Sequence, residues 1–116
     1  MAGSLLLRTA EDERVVVDPL DVYLLEADGG STRVRRASAT ELVDIRELGE
    51  VAPLFERRGF VQVHRQFVVN PDRVAVVRRR DAGRDWEVKM APPVNRVIPV
   101  ARDRLDHLWA AFAEDG

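Results

Sequence analysis

The sequence predicts a mostly β domain with one short mid-chain helix and an amphipathic helix near its C-terminal end. Three observations carry this. Short β-branched and apolar runs recur along the chain, among them "LLL", "VVV", "VYLLEA", "RVAVV" and "WEVKM". Turn-forming clusters such as "DPLD", "DGGS" and "NPD" separate them, as expected of strands joined by tight turns. Helical periodicity is confined to Glu47–Arg58 and the stretch after Ala101.

In chain order, Leu5–Leu7 and Val15–Val17 read as two strands around the acidic turn "AEDE". Pro19 in "DPLD" ends the second, because proline cannot donate to a ladder. Val22–Ala27 is a further strand, "DGGS" a strong turn, and "TRVRR" the return. In "ELVDI", Val43 and Ile45 share one face with Asp44 between them. Leu48, Val51, Ala52 and Phe55 recur at helical spacing, with Pro53 expected to break or kink that helix or start a second. Gly59 sits where a C-terminal cap belongs. "RVAVV" and "WEVKM" flank the polar hairpin loop "RRDAGRD", and Val97–Val100 is a short strand. Leu105, Leu108, Trp109 and Phe112 follow the i, i+3, i+4, i+7 pattern of an amphipathic helix. Trp86, Trp109 and Phe112 are assigned to the core.

A chain of 116 residues is one domain's worth. One domain over residues 5–113 is expected, with short tails at 1–4 and 114–116. No apolar run approaches the roughly 20 residues of a membrane span, and no signal-peptide pattern opens the chain. A cytoplasmic location without membrane contact is therefore the default. The absence of cysteine excludes disulfides and Cys-based metal or nucleophilic chemistry. His64 and His107 lack ligand-like spacing. No paired carboxylates, nucleophile triad or phosphate loop can be placed, so no enzyme, metal, cofactor or small-molecule ligand is expected.

Net charge is −2, which argues against nucleic-acid binding by bulk charge alone. The charges are segregated, however. Glu11–Asp28 holds seven acids against one arginine, and Arg57–Arg80 holds seven arginines against one acid. Arginine's planar fork suits phosphate and guanine; the same bias also follows from a GC-rich genome.

The segment "GFVQVHRQFVVN" is the informative one. Strict alternation from Val61 would put Arg65 on the apolar face with Val63, Phe67 and Val69. Burying an unpaired guanidinium costs several kcal/mol. The period is therefore expected to break near His64–Gln66, at a turn or bulge that exposes these side chains.

"GFVQVHRQFVVNPDRV" resembles the signature of the LytTR-type DNA-binding domain. "LDVYLLEADGGSTRV" and "VIPVARDRLDHL" resemble its acidic, aromatic strand with the following loop and its closing element, in the same order. The resemblance runs from about Leu5 to Phe112. It implies an elongated fold of three small antiparallel sheets whose loops enter DNA grooves, as the output domain of a bacterial-type transcription regulator. It implies contacts to double-stranded DNA from Thr32 and Arg33, from Arg65 with Gln66 beside it, and from Arg102, with Arg104 as a neighbour. It departs from the family pattern where Gln66 and Ala101 stand in place of the usual serines; alanine at 101 neither caps a helix nor donates to phosphate.

On chemistry, Arg65 can pair bidentately with guanine and Gln66 with adenine. The alternative for both is an exposed strand end held by a surface ion pair. Arg102 is read as a phosphate ligand near a helix start, or as the ion-pair partner of Asp103 or Asp106. His64 is expected to orient the triplet by hydrogen bonds, and Asn70 to fix the turn before Pro71. Arg78–Arg80 is read as a solvated hairpin end. Two functions stay open: sequence-specific binding of paired DNA sites, as a dimer or as two monomers, and a protein-interaction or dimerisation module on the same fold with DNA binding lost.

Overall fold

Asp18 and Asn70 each precede a proline and bend the chain in the same way. Their side chains accept from the backbone N–H two residues on, Leu20 and Asp72, each at 3.0 Å. Each opens a single 3-10 turn, Pro19–Asp21 and Pro71–Arg73. These turns deliver the chain into the strands that build the core.

The structure is a computed structural model that describes residues 3–38, 40–80 and 83–112. The outermost tail positions and part of the "RRDAGRD" loop lie outside the described residues. The strands are β1 Leu5–Ala10, β2 Glu13–Val17, β3 Val22–Asp28, β4 Ser31–Arg36, β5 Leu42–Asp44, β6 Val61–His64, β7 Phe67–Val69, β8 Val74–Arg79, β9 Trp86–Met90 and β10 Val97–Val100; the helices are α1 Leu48–Glu56 and α2 Leu105–Ala110. They form three antiparallel sheets, ordered β1-β2, β5-β4-β3-β7-β6 and β10-β9-β8. The described residues extend over 48 × 33 × 25 Å. The mostly β, elongated architecture expected from the sequence is the one found.

The five-stranded sheet is buried on both faces. Val22, Leu25, Val34 and Val68 meet Leu48, Val51, Ala52 and Phe55 of α1, together with Leu7 and Val17 of the β1–β2 hairpin. Tyr23, Leu24, Val63 and Val69 meet Val88, Met90, Ile98 and Val100 of the three-stranded sheet, and Leu108 of α2. A register shift between Val22 and Leu24 puts Tyr23 and Leu24 on the same side. A strand with apolar neighbours on both faces has no polar face to show, so "VYLL" is continuous rather than alternating.

Helix α1 runs through Pro53 without dividing. It ends in a Schellman motif. Gly59, at φ +92, donates to Glu56 O at 3.0 Å, and Phe60 donates to Phe55 O at 3.2 Å. The Phe55 and Phe60 rings meet edge-on at 5.1 Å, the apolar contact that accompanies this cap. Pro53 is exposed and supplies no N–H to the helix. Interior proline costs a helix about 3 kcal/mol, partly offset by the stiffer unfolded chain. Pro53→Ala is therefore expected to stabilise the fold by about 1–2 kcal/mol, a rise in Tm of roughly 5 °C in a thermal melt. A lowered Tm would show that the proline ring's own packing outweighs the missing bond.

The alternation expected in "LVDI" is found: Val43 and Ile45 share the exposed face, and Asp44 between them is fully buried. Hydrogen bonds from Arg8 and Arg46 to the Asp44 carboxylate hold that register. One sequence expectation is corrected. Trp109 is exposed rather than in the core; it rests edge-on against Trp86 at 5.2 Å between ring centres. Helix α2 is short, and only Leu108 of its apolar stripe is buried.

Candidate nucleic-acid interface

The His64-Arg65-Gln66 triplet is the connection between β6 and β7. Val61 pairs with Val69 and Gln62 with Val68, but His64 then pairs with Phe67, so the ladder shifts by one residue. That bulge and the two-residue turn carry Arg65 and Gln66 off the apolar face into solvent, where both are exposed. The turn is rigidly held. His64 Nδ1 accepts from Gln66 N at 3.1 Å, and Gln66 O accepts from Ala27 N of β3 at 2.9 Å. The His64 ring lies 5.7 Å from that of Phe67. The exposed side chains thus stand on a fixed backbone, the arrangement a base-reading group requires. Among the described residues, no carboxylate pairs with Arg65.

Registers place the other candidates relative to this turn. Arg33 of β4 lies opposite Glu26 of β3, Glu26 opposite Phe67 of β7, and Phe67 opposite His64 of β6. Directly opposed residues share a face. Arg33 and His64 are three strand steps apart, about 14 Å at the usual spacing of about 4.8 Å. On the other side of β6, Ala101 N donates to Val63 O at 2.8 Å. This hooks the closing element beside the triplet. A cleft of about 310 Å³ opens there, lined by Gln62, His64, Arg65, Ala101, Asp103 and Arg104. Arg33, the Arg65–Gln66 turn and Arg102 therefore follow one another across this part of the molecule.

Arg33 and Arg102 are not free. Arg33 Nε donates to Asp28 Oδ2 at 3.0 Å, and this hydrogen bond is the chief reason its pKa is raised. Arg102 Nη2 lies 3.5 Å from Asp85 Oδ1, so its partner comes from the β8–β9 loop rather than from Asp103 or Asp106. Both pairs are largely exposed and add little to stability. Arg102 opens a 3-10 turn, Arg102–Arg104, ahead of α2, and Ala101 supplies no side-chain cap. Arg104 is half-buried against the cleft.

Thr32 is corrected. Its side chain is fully buried, and its hydroxyl donates to Arg46 O at 2.9 Å. Arg33 points outward, so its strand neighbour Thr32 must point inward; Thr32 supports the hairpin from beneath and presents nothing to a ligand. Asn70 is buried as well. Beyond its cap on Asp72, its amide donates to Val22 O at 3.0 Å and to Pro19 O at 3.4 Å, tying the two proline turns together. Sequence reasoning missed Arg96, whose Nη1 lies 3.2 Å from Glu26 Oε1 in the row between Arg33 and Phe67. Nothing in the local "PPVNRV" pattern marks it; only the fold brings it there.

The model of the LytTr DNA-binding domain matches residues 12–113. The chain belongs to the LytTR family. A solved LytTr DNA-binding domain of a response regulator from Bacillus cereus shares the fold with a TM-score of 0.71 at 20% identity, covering 94% of this chain and 95% of that one. Comparison with curated proteins gives no match. As a LytTR domain, the chain is of a DNA-binding, transcription-regulator type, and DNA is its partner class. Among the described residues, no helix is long and apolar enough to cross a membrane.

Proposed function

We propose that this LytTR domain reads DNA sequence through the Arg65–Gln66 turn, with Arg33 and Arg102 as flanking contacts to double-stranded DNA. The observation that carries this is the turn itself: two exposed side chains capable of bidentate base pairing, on a backbone locked by His64 and Ala27. Phosphate contacts position a protein on the duplex, and base contacts specify the site. The distance of about 14 Å between Arg33 and the turn is comparable with the major groove's width of about 12 Å. A turn at a base edge therefore leaves Arg33 near the groove's rim. Binding of paired sites, by a dimer or by two monomers, belongs to the same proposal.

A competing reading keeps the fold but not the DNA. It is favoured by Asp28 and Asp85, which already occupy Arg33 and Arg102, and by the uncapped Ala101. On that reading the domain is an interaction or dimerisation module. A salt series on a duplex selected from a randomised pool separates the two. Each phosphate neutralised contributes about −0.9 to the slope of log affinity against log salt. A slope of about −3 or steeper is expected, and Arg102→Ala should make it shallower by about one unit while weakening selected and unrelated duplexes alike. Failure to select any duplex would favour the interaction module.

A further inference from the structure

We infer that Asp28 is a positioning residue that presents the outer edge of Arg33 to a base; this rests on the reading that Arg33 meets DNA. Asp28 is the last residue of β3 and pairs across the hairpin with Ser31. The intervening Gly29, at φ +60, occupies the first turn position, where a two-residue hairpin turn demands glycine. Ser31 Oγ donates to Asp28 O at 3.0 Å and pins the strand end. Asp28 and Arg33 are then diagonal neighbours on one face, within reach of a long side chain. The contact is made through one nitrogen. Asp28 Oδ2 accepts from Arg33 Nε at 3.0 Å, and among the described residues no hydrogen bond engages the two Nη groups.

That division matters because a guanidinium has five N–H donors in a fixed fork. Holding Nε fixes the plane of the fork and leaves the Nη1–Nη2 end open. That end is the edge that matches guanine O6 and N7. An exposed arginine without this partner would lose rotamer freedom on binding; one held beforehand has lost it already. The same carboxylate has a second effect. In a complex made only of phosphate contacts, Asp28 faces negative charge and receives nothing in return. Asp28 thus favours base pairing by Arg33 and disfavours binding to unrelated DNA, widening the gap between them.

The test compares Asp28→Ala, Asp28→Asn and Arg33→Ala on a selected duplex and on an unrelated duplex of equal length, at low and physiological salt. Asp28→Ala is expected to weaken the selected duplex about 3-fold, within the ordering cost of one long side chain. It should tighten the unrelated duplex about 3-fold at low salt, with the gain fading as salt rises. Asp28→Asn keeps an acceptor without the charge. It should retain most of the selected affinity while showing the same gain on unrelated DNA. Thermal stability should not move, so a loss of fold does not mimic the result. In a double-mutant cycle, Asp28→Ala should cost selected binding nothing further once Arg33 is alanine. The inference is overturned if Asp28→Ala shifts both duplexes in the same direction or shifts neither. It is also overturned if Arg33→Ala leaves selected binding intact, an outcome under which the Arg65 reading still stands. If no duplex is bound at all, both fall together.

Discussion

Arg65→Ala is expected to weaken binding to a selected duplex about 10- to 100-fold and to abolish preference at one base pair. A bidentate arginine–guanine contact contributes about 1–3 kcal/mol of discrimination, and 1.4 kcal/mol is a factor of ten. The larger end applies here because the backbone of the turn is fixed before binding, by the bond from Gln66 N to His64 and that from Ala27 N to Gln66 O. Unrelated DNA should suffer only from the lost charge, a few-fold at low salt. Arg65 is exposed and contributes nothing to the core, so the variant should fold as well as the parent. Competition binding against a library with each position of the site varied is the measurement. An unchanged profile at every position would remove Arg65 from the site.

The second large effect concerns stability. Asp44 is fully buried and receives four hydrogen bonds: from Arg8 N at 2.8 Å, Arg46 N at 2.9 Å, Arg46 Nε at 2.9 Å and Arg46 Nη2 at 2.7 Å. Ile45 N donates back to Arg8 O at 2.8 Å, so this one carboxylate clamps the β1–β2 hairpin to β5. Removing one partner of a buried pair leaves the other donors stranded, at a cost of about 3–5 kcal/mol. Asp44→Ala should therefore lose about that much stability in denaturant unfolding at neutral pH.

The effect depends on pH in a definite direction. Burial alone would raise the Asp44 carboxyl's pKa, but the hydrogen bonds from the Arg46 side chain and from the backbone of Arg46 and Arg8 outweigh it and hold the pKa below the ordinary value. A carboxylate depressed in the folded state stabilises above its unfolded pKa, about 3.9 for aspartate. That contribution disappears as pH falls through the lower, folded value. The gap between the parent and Asp44→Ala should thus be full at pH 7 and narrow in strongly acidic solution. A gap independent of pH would mean that Asp44 acts by packing alone.

Much of this domain was legible from local pattern. The strand runs, the turns at "DPLD", "DGGS" and "NPD", and the cap at Gly59 all depend on interactions within a few residues. The break at His64–Gln66 was legible too, because a guanidinium cannot follow Val63 into an apolar face unpaired. Around Asp44 the alternation identified two faces but not which one is buried. Val43 and Ile45 look like the inner side until the donors of Arg8 and Arg46 are known to lie on the other. The family resemblance gave Thr32 a surface role alongside Arg33, although strand alternation turns adjacent side chains to opposite faces.

The sequence by itself determined the secondary structure, the family and an outward-facing Arg65–Gln66 turn, because local sterics, periodicity and the cost of burying charge act at short range. Only the tertiary structure decided which charges meet. It put Glu26 against Arg96, Asp85 beside Arg102, and Arg33, the Arg65 turn and Arg102 in succession across the molecule. Such pairings join residues on separate elements, up to 70 positions apart. They follow from strand register and sheet order, which no local pattern encodes.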